Sequence, residues 1–306
     1  MFSYDKVKNN PKLLLAMTSL TRAEFEQLLV PFRAAWEAQA AKTAVPEQNR
    51  QRRAGAGRKP ALRTMADKQL FILYYFKAYP LQEILAFEFG MSQGQACDWI
   101  AILSPVLKEA LDTLGQLPKR DPAQLAAKLV EEGETTLGID GTERRIQRPK
   151  DQEKQRRYYS GKKKAHTVKN NVVVGLESRR IQYLSDTYEG KKHDKKICDE
   201  EPLTFPPDIS LYKDTGFQGY EPAGVRTYQP KKKPRGKELS AEDREQNRLI
   251  SKVRIIAEHV ISGIKRCRIL KDVFRNIRAG FSDLVIVIAC GLHNFRTQCR
   301  SKATVA

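Results

Sequence analysis

The chain has 306 residues, of which 41% are hydrophobic, and it carries 55 Lys and Arg against 36 Asp and Glu, a formal charge of +19. This apolar fraction supports a folded core in a chain long enough for two domains, and it excludes an intrinsically disordered protein. The charge favours a polyanionic partner, with nucleic acid first and an anionic membrane surface second, over a basic surface that serves only solubility.

Three features bear on the compartment. The longest apolar run, Leu284–Leu292, is much shorter than the about 20 residues that span a bilayer, and no signal-peptide pattern opens the chain. The five cysteines are odd in number and scattered, which argues against a disulfide framework and for a reducing compartment. We therefore expect a cytoplasmic, nucleoid-associated protein with no membrane partner.

Residues 1–46 are predicted to form an N-terminal helical segment, because their apolar residues recur at three-to-four spacing. Residues 47–63 are predicted to be a basic linker, since they are rich in Arg and Gly and have no apolar period. This linker could serve as a hinge, hold DNA phosphates, or do both. Its candidate phosphate contacts are Arg50, Arg52, Arg53, Arg58 and Lys59.

Residues 64–130 show the pattern of a helix-turn-helix region: a helix, a short turn at Gly90, and a second helix. Ser92 followed by Gln95 is a capping-box spacing and predicts the start of the second helix. Gln93 and Gln95 are the candidate base-reading residues. A plain helical bundle stays open as an alternative, because this stretch has few basic residues.

Residues 131–306 change in character. Short β-like runs come first, and two long helical patterns close the chain at about 240–275 and 282–300. Strands followed by helices, with turn signals between them, predict an α/β domain.

The positive charge is concentrated in three segments of this second half, 144–169, 226–237 and 248–278. Such clustering favours a phosphate-binding groove over a solvated surface. The candidate DNA contacts are Lys162, Lys163, Lys164, Lys231, Lys232, Lys233, Arg254 and Lys265.

Three carboxylates lie within this basic field. Asp140 follows a predicted strand over Thr135–Ile139, and Asp214 ends the run "ISLYKD" in the same way. Glu258 shares one polar stripe of an amphipathic helix with Arg254 and Lys265. Taken singly, each Asp could mark an ordinary turn, and Glu258 could form an ordinary i,i+4 pair with Arg254.

Taken together, the three carboxylates predict two-metal phosphoryl chemistry. Mg²⁺ prefers hard oxygen ligands, few of them from the protein. Two such ions activate the attacking oxygen and stabilise the leaving oxygen. We therefore expect Asp140, Asp214 and Glu258 to be both catalytic and metal-binding.

The helix reads Ser251-x2-Arg254-x3-Glu258-x6-Lys265, which resembles the Y-(2)-R-(3)-E-(6)-K signature of bacterial insertion-sequence DDE transposases, with Ser in place of Tyr. Further similarity to this group, which is related to Harbinger-type nucleases, covers about residues 135–297. It is carried by "GIDGTERRIQRP", "YYSGKKKAHTVKNNVVV", "KKHDKKI", "LYKDTGFQGY" and "CGLHNFR".

The resemblance implies a fold and a site. Residues 131–306 would form an RNase H-like domain, a mixed five-stranded sheet with flanking helices, preceded by the all-α helix-turn-helix domain. Asp140, Asp214 and Glu258 would be the DDE triad and would bind two Mg²⁺ ions, for which Mn²⁺ would substitute. His193 and Asp194 match a recurrent His-Asp pair of the group, in which Asp194 could cap a helix or support the metal shell.

The resemblance also implies an activity. A metal-activated water would cut double-stranded DNA at the terminal inverted repeats, and the freed 3′-OH would attack target DNA. Joining two ends predicts a homodimer or higher assembly in a synaptic complex. A domesticated DNA-binding protein that no longer cuts and a stand-alone RNase H-like nuclease are the alternatives.

Overall fold

A computed structural model of the chain describes residues 1–43, 60–234, 236 and 238–305. The candidate phosphate contacts between Arg50 and Lys59 lie outside the described residues. The chain divides into two compact units. The first comprises Met1–Gln116 and Arg266–Ile269, and the second comprises Leu117–Lys265 and Leu270–Ala306.

The first unit is built from helices. Its helices are α1 (Tyr4–Val7), α2 (Pro11–Thr18), α3 (Arg22–Thr43), α4 (Met65–Ala78), α5 (Gln82–Phe89) and α6 (Gln93–Thr113). Gly90 ends α5 in the left-handed conformation with φ 68°, which a residue without Cβ adopts at little cost.

The predicted capping box at the start of α6 is confirmed. The Ser92 hydroxyl accepts from the Gln95 amide at 3.3 Å, and the Gln95 side chain accepts from the Ser92 amide at 3.0 Å. The helix, turn and capped helix expected from the sequence are therefore present as α5, the turn at Gly90, and α6.

The second unit combines one sheet with helices. Its strands are β1 (Thr136–Arg145), β2 (Tyr159–Ser160), β3 (Ala165–Gly175), β4 (Ile181–Leu184), β5 (Tyr188–Glu189), β6 (Ser210–Lys213) and β7 (Arg226–Tyr228). Its helices are α7 (Leu125–Glu132), α8 (Gln152–Tyr158), α9 (Asp194–Glu200), α10 (Ala241–Ile264), the C-terminal half of α11 (Arg268–Lys271) and α12 (Phe281–Val305).

The mixed sheet runs in the order β4–β3–β1–β6–β7. Strands β1, β3 and β4 pair antiparallel, whereas β6 pairs parallel with β1 and β7 pairs parallel with β6. The predicted five-stranded mixed sheet of an RNase H-like fold is therefore present. In the described residues the two-residue strands β2 and β5 also pair with β3, which makes seven strands in all.

Strand β1 is longer than the sequence predicted. We predicted a strand over Thr135–Ile139 that ends at Asp140, but β1 continues to Arg145. The reason is that β3 pairs with β1 along the whole stretch from Leu137 to Arg145 and satisfies its backbone. Only the parallel partner β6 stops early, at the pair Ile139 and Lys213. Asp140 therefore lies inside β1, at the point where its second neighbour ends.

The two faces of β1 meet different helices, because successive side chains of a strand point in opposite directions. A Cβ on Gly138 would lie 3.0 Å from the Ala257 Cβ of α10, and a Cβ on Gly141 would lie 2.8 Å from the Asp194 Oδ1 of α9. The α9 face also carries an apolar cluster, which includes Leu129 from α7 and Ile139 from β1. Asp140, like Gly138, belongs to the α10 face.

Helix α10 ends at Ile264, and Lys265 is its C-terminal cap. The predicted helix over about 240–275 is thus shorter than expected, and α12 accounts for the second predicted helix over 282–300. No helix among the described residues is long and apolar enough to cross a membrane.

Candidate active site

Asp140 and Asp214 lie side by side because of the register between β1 and β6. Ile139 is paired with Lys213 in a parallel ladder, so the next residues on both strands are neighbours on the same face. Each carboxylate also accepts from the amide that follows it: Asp140 from Gly141 at 2.7 Å, and Asp214 from Thr215 at 2.6 Å. These bonds orient two acidic groups toward one side of the sheet.

The electrostatics of this pair favour a bound cation. The pKa of Asp140 is raised to about 6, mainly by burial and also by the charges of Asp214 and Asp194, against the lowering effects of the Gly141 amide and Arg254. Two carboxylates held close together and partly out of water repel each other unless a positive charge lies between or beside them.

Helix α10 supplies that positive charge as Arg254. Its guanidinium lies 3.4 Å from the Asp214 Oδ1 and 4.0 Å from the Glu258 Oε1, and its side chain is only 16% exposed. Glu258 is one helical turn further along and its side chain is 58% exposed. The predicted polar stripe therefore faces the aspartate pair, with Arg254 between Asp214 and Glu258.

The donor set fits a divalent cation at Asp140 and Asp214. Both groups are carboxylates, the ligands that Mg²⁺ prefers, and their proximity is costly without a counter-charge. In the described part of the chain, no three side chains of His, Cys, Asp or Glu converge closely enough to hold one ion. Arg254 therefore lies between Glu258 and the aspartate pair, and Glu258 does not complete a three-carboxylate cluster with Asp140 and Asp214.

Lys265, at the C-terminal end of α10, lies near the carboxylates of the site. Burial and the charge of Lys163 lower the pKa of Lys265, while Asp140 and Glu143 raise it. Lys163 belongs to the turn between β2 and β3, so two of the lysines predicted to bind DNA approach the carboxylates from different elements.

On the α9 face, a polar cleft of about 420 Å³ borders Asp214. Of the residues predicted from the sequence, its lining includes Lys162, Lys232, His193 and Asp194. The residues that sequence reasoning missed are Glu143, Lys169, Lys191 and Lys192. Lys191 and Lys192 directly precede the predicted His-Asp pair and could have been included with it, but Glu143 and Lys169 are brought together only by strand register.

The remaining predicted lysines lie at the periphery. Lys164 is exposed and has φ 50° at the end of the β2–β3 turn. Lys231 forms an ion pair with Asp243, and Lys233 forms one with Glu238. These two ammonium groups are therefore already engaged by carboxylates of the same chain.

In the first unit, Gln93 and Gln95 are exposed at the start of α6. The Gln93 side-chain amide donates to the Gln82 side-chain oxygen at 2.6 Å, and the Gln95 side-chain oxygen accepts in the capping box. Gln95 thus has a structural role besides the base contact that we predicted for it.

Comparisons with known proteins identify the family of the chain. Residues 139–294 match the family described as DDE superfamily endonuclease, and residues 60–113 match its helix-turn-helix. The chain is 29% identical over 243 residues to the "Probable transposase for insertion sequence element IS702" of Microchaete diplosiphon, a match that covers 78% of this chain and 83% of that protein.

No solved structure gives a significant match. The family match spans just over half of the chain and includes Asp140, Asp214 and Glu258. The chain therefore belongs to the DDE superfamily endonucleases and carries their helix-turn-helix domain ahead of the catalytic domain.

Proposed function

We propose that this protein is a DNA transposase that cuts phosphodiesters at the ends of its element and transfers the freed 3′-OH to target DNA. The single observation that carries the proposal is the β1–β6 register, which sets Asp140 and Asp214 side by side under the helix that bears Glu258. The relative named as a transposase supports the same reading.

In the proposed mechanism Asp140, Asp214 and Glu258 would hold two Mg²⁺ ions, and these ions would supply an activated water and stabilise the leaving oxygen. The carboxylates bring negative charge and oxygen donors to one side of the sheet. Arg254, which lies within ion-pair distance of both Asp214 and Glu258, would contact the DNA phosphate beside these carboxylates.

The lysines around the site would hold the DNA backbone. Lys163 and Lys265 lie on the α10 side, and Lys162 and Lys232 line the cleft on the α9 side. Such contacts neutralise phosphates without reading sequence, so they would orient the duplex over the carboxylates.

The helix-turn-helix would select the terminal inverted repeats, with Gln93 and Gln95 at the exposed start of α6. Gln can make a bidentate contact to adenine in the major groove. Because two ends must be joined, the working form would be a homodimer or a larger synaptic complex, acting on DNA in the cytoplasm at the nucleoid.

The test is cleavage of a duplex that carries an element end by the purified full chain in Mg²⁺, with Mn²⁺ as the alternative ion. Strand nicks at the end followed by joined products with a target duplex are the expected result. Nicks without joined products would indicate a stand-alone nuclease. Binding without any nicks, in wild type as in the Asp140→Asn variant, would indicate a protein that has kept only DNA binding.

A further inference from the structure

Asp194 makes contacts that the triad chemistry does not explain. A Cβ on Gly141 would lie 2.8 Å from the Asp194 Oδ1, and a Cβ on Gly216 would lie 3.0 Å from the Asp194 Oδ2. Gly141 directly follows Asp140, and Gly216 is two residues after Asp214. The Asp194 carboxylate therefore packs against the backbone beside both catalytic aspartates at once.

Asp194 is held in this position by β3. The Lys169 ammonium lies 3.0 Å from the Asp194 Oδ1 and 3.6 Å from the Glu143 Oε1, and the Lys169 side chain is only 9% exposed. The Asn171 side-chain amide donates to the Asp194 carbonyl oxygen at 2.8 Å. Lys169 and Asn171 are two residues apart and so point to the same face of the strand.

The geometry also explains why Gly141 and Gly216 have no side chains. Neither residue has a positive φ, so an L-residue could adopt the same backbone at both positions. What a Cβ would meet at Gly141 is the Asp194 carboxylate, which Lys169 restrains. Close approach, and not backbone conformation, is therefore the reason for glycine at position 141.

We propose that Asp194 is a positioning residue: its carboxylate, held by Lys169, fixes the spacing between the β1 segment that carries Asp140 and the turn that carries Asp214. The effect of Asp194 on cleavage rests on the proposed function, because the spacing of Asp140 and Asp214 determines how well these carboxylates are arranged to share bound ions. It assigns Asp194 no contact with substrate or metal.

The first test needs neither metal nor DNA. In the full chain without divalent ions, Asp194→Ala should speed amide hydrogen exchange in the peptides around Gly141 and Thr215, whose amides donate to Asp140 and Asp214. Exchange in β4, on the far side of β3, should stay unchanged and serves as the internal control for global unfolding. Unchanged exchange at both active-site peptides would overturn the proposal.

The second test separates shape from charge. Asp194→Asn keeps the shape that packs against the glycines but weakens the pairing with Lys169, so it should disturb the site less than Asp194→Ala. Gly141→Ala should displace the carboxylate directly, and Gly161→Ala is the matched control, because a Cβ there meets nothing within 4 Å. If Gly141→Ala has no larger effect on exchange than Gly161→Ala, Asp194 does not fix the spacing.

Activity then provides the link to function. Asp194→Ala and Gly141→Ala should lower kcat for end cleavage about 10- to 100-fold while KM for the duplex stays within about twofold. The double variant should be little worse than either single variant, because both changes remove one and the same contact. Full activity in both single variants would overturn the proposal.

The controls keep the two proposals apart. If wild type does not cut at all, the proposed function fails, and the exchange measurements still decide whether Asp194 holds the two segments. If wild type cuts but the Asp194 and Gly141 variants cut equally well and exchange normally, only the positioning role fails. Should Asp194→Ala not fold, Gly141→Ala and Asp194→Asn carry the same test.

Discussion

The proximity of Asp140 and Asp214 comes from the parallel register of β1 and β6, in which Ile139 and Lys213 are the last paired residues. The next residue on each strand is then an aspartate on the same face. Such an arrangement opposes folding in the absence of cations, since two neighbouring carboxylates repel and one of them is partly buried. A site of this kind gives up stability for function.

This cost can be measured through pH. Burial raises the pKa of Asp140 to about 6, above the value of about 3.9 in an unfolded chain, so the folded protein binds this proton more tightly. The contribution of Asp140 to stability is therefore lost as pH rises from about 4 to about 6, the sign expected when the native state holds more protons.

Asp140→Asn removes this titration. In EDTA the variant should match wild type near pH 4 and become more stable than wild type above pH 6, by at most about 3 kcal/mol. Urea unfolding at several pH values measures the difference. A stability difference that does not change with pH would contradict a raised pKa at Asp140.

Glu258 offers a second test at the scale of one residue. Glu258→Gln keeps the size of the side chain but removes the charge that a cation needs. Unfolding free energy should change by no more than about 0.2–0.5 kcal/mol, the worth of an exposed helical pair with Arg254. Duplex binding should be kept or tightened, while Mg²⁺-dependent cleavage should fall by about 100-fold or more.

The matched control is Glu245→Gln, on the same helix, where the carboxylate pairs with Arg248 at 2.7 Å far from the aspartates. It loses the same charge and should cut normally. Near wild-type cutting by Glu258→Gln would show that the third ligand is another residue.

At the scale of elements, the sequence predicts the helices better than the strand ends. Capping signals and apolar period are local, so the start of α6 at Ser92 and Gln95 could be read directly. The continuation of β1 past Gly141 depends on β3, far along the chain, and no local signal contains that information. The contact of Lys169 with Glu143 and Asp194 is hidden for the same reason.

The turn between β2 and β3 carries three successive lysines, Lys162, Lys163 and Lys164. Lys162 lines the cleft beside Asp214, and Lys163 lies near Lys265. Replacing all three by Ala should weaken duplex binding and make it less salt-dependent, because about 0.9 counterions are released per phosphate contact. The slope of log K against log salt should become shallower by about one to three. Fluorescence titration at several salt concentrations measures this slope.

A single lysine that is already paired supplies the comparison. Lys233→Ala removes an ammonium engaged by Glu238 and should change the slope by much less than one. If the triple variant keeps the wild-type slope, the turn is solvated and does not contact the DNA backbone.

At the scale of the whole molecule, positive charge is distributed unevenly along the chain. Three segments, 144–169, 226–237 and 248–278, hold the concentrated positive charge, whereas the helix-turn-helix region has no Lys or Arg between Lys77 and Lys108. Affinity for any duplex should therefore come mainly from the second unit. Preference for the element's ends should come from the first.

Deletion of Met1–Gln116, the larger part of the first unit, tests this division. The cut belongs after Gln116, because Leu125 and Leu129 of α7 are fully buried in the core of the second unit. The fragment 117–306 should lose its preference for an end-bearing duplex over a scrambled one and keep weak, strongly salt-dependent binding to both. Competition titrations at two salt concentrations measure preference and salt dependence together.

The full chain with Gln93→Ala is the companion variant, since it leaves every domain in place. It should lower the preference for end sequence by the about 1–3 kcal/mol of one base contact while leaving the salt slope unchanged, because no phosphate contact is lost.

Circular dichroism of the fragment 117–306 confirms that this fragment is folded before its binding is compared with that of the full chain. A folded fragment that still prefers the element's ends would show that α6 is part of a plain helical bundle and that sequence is read by the catalytic unit.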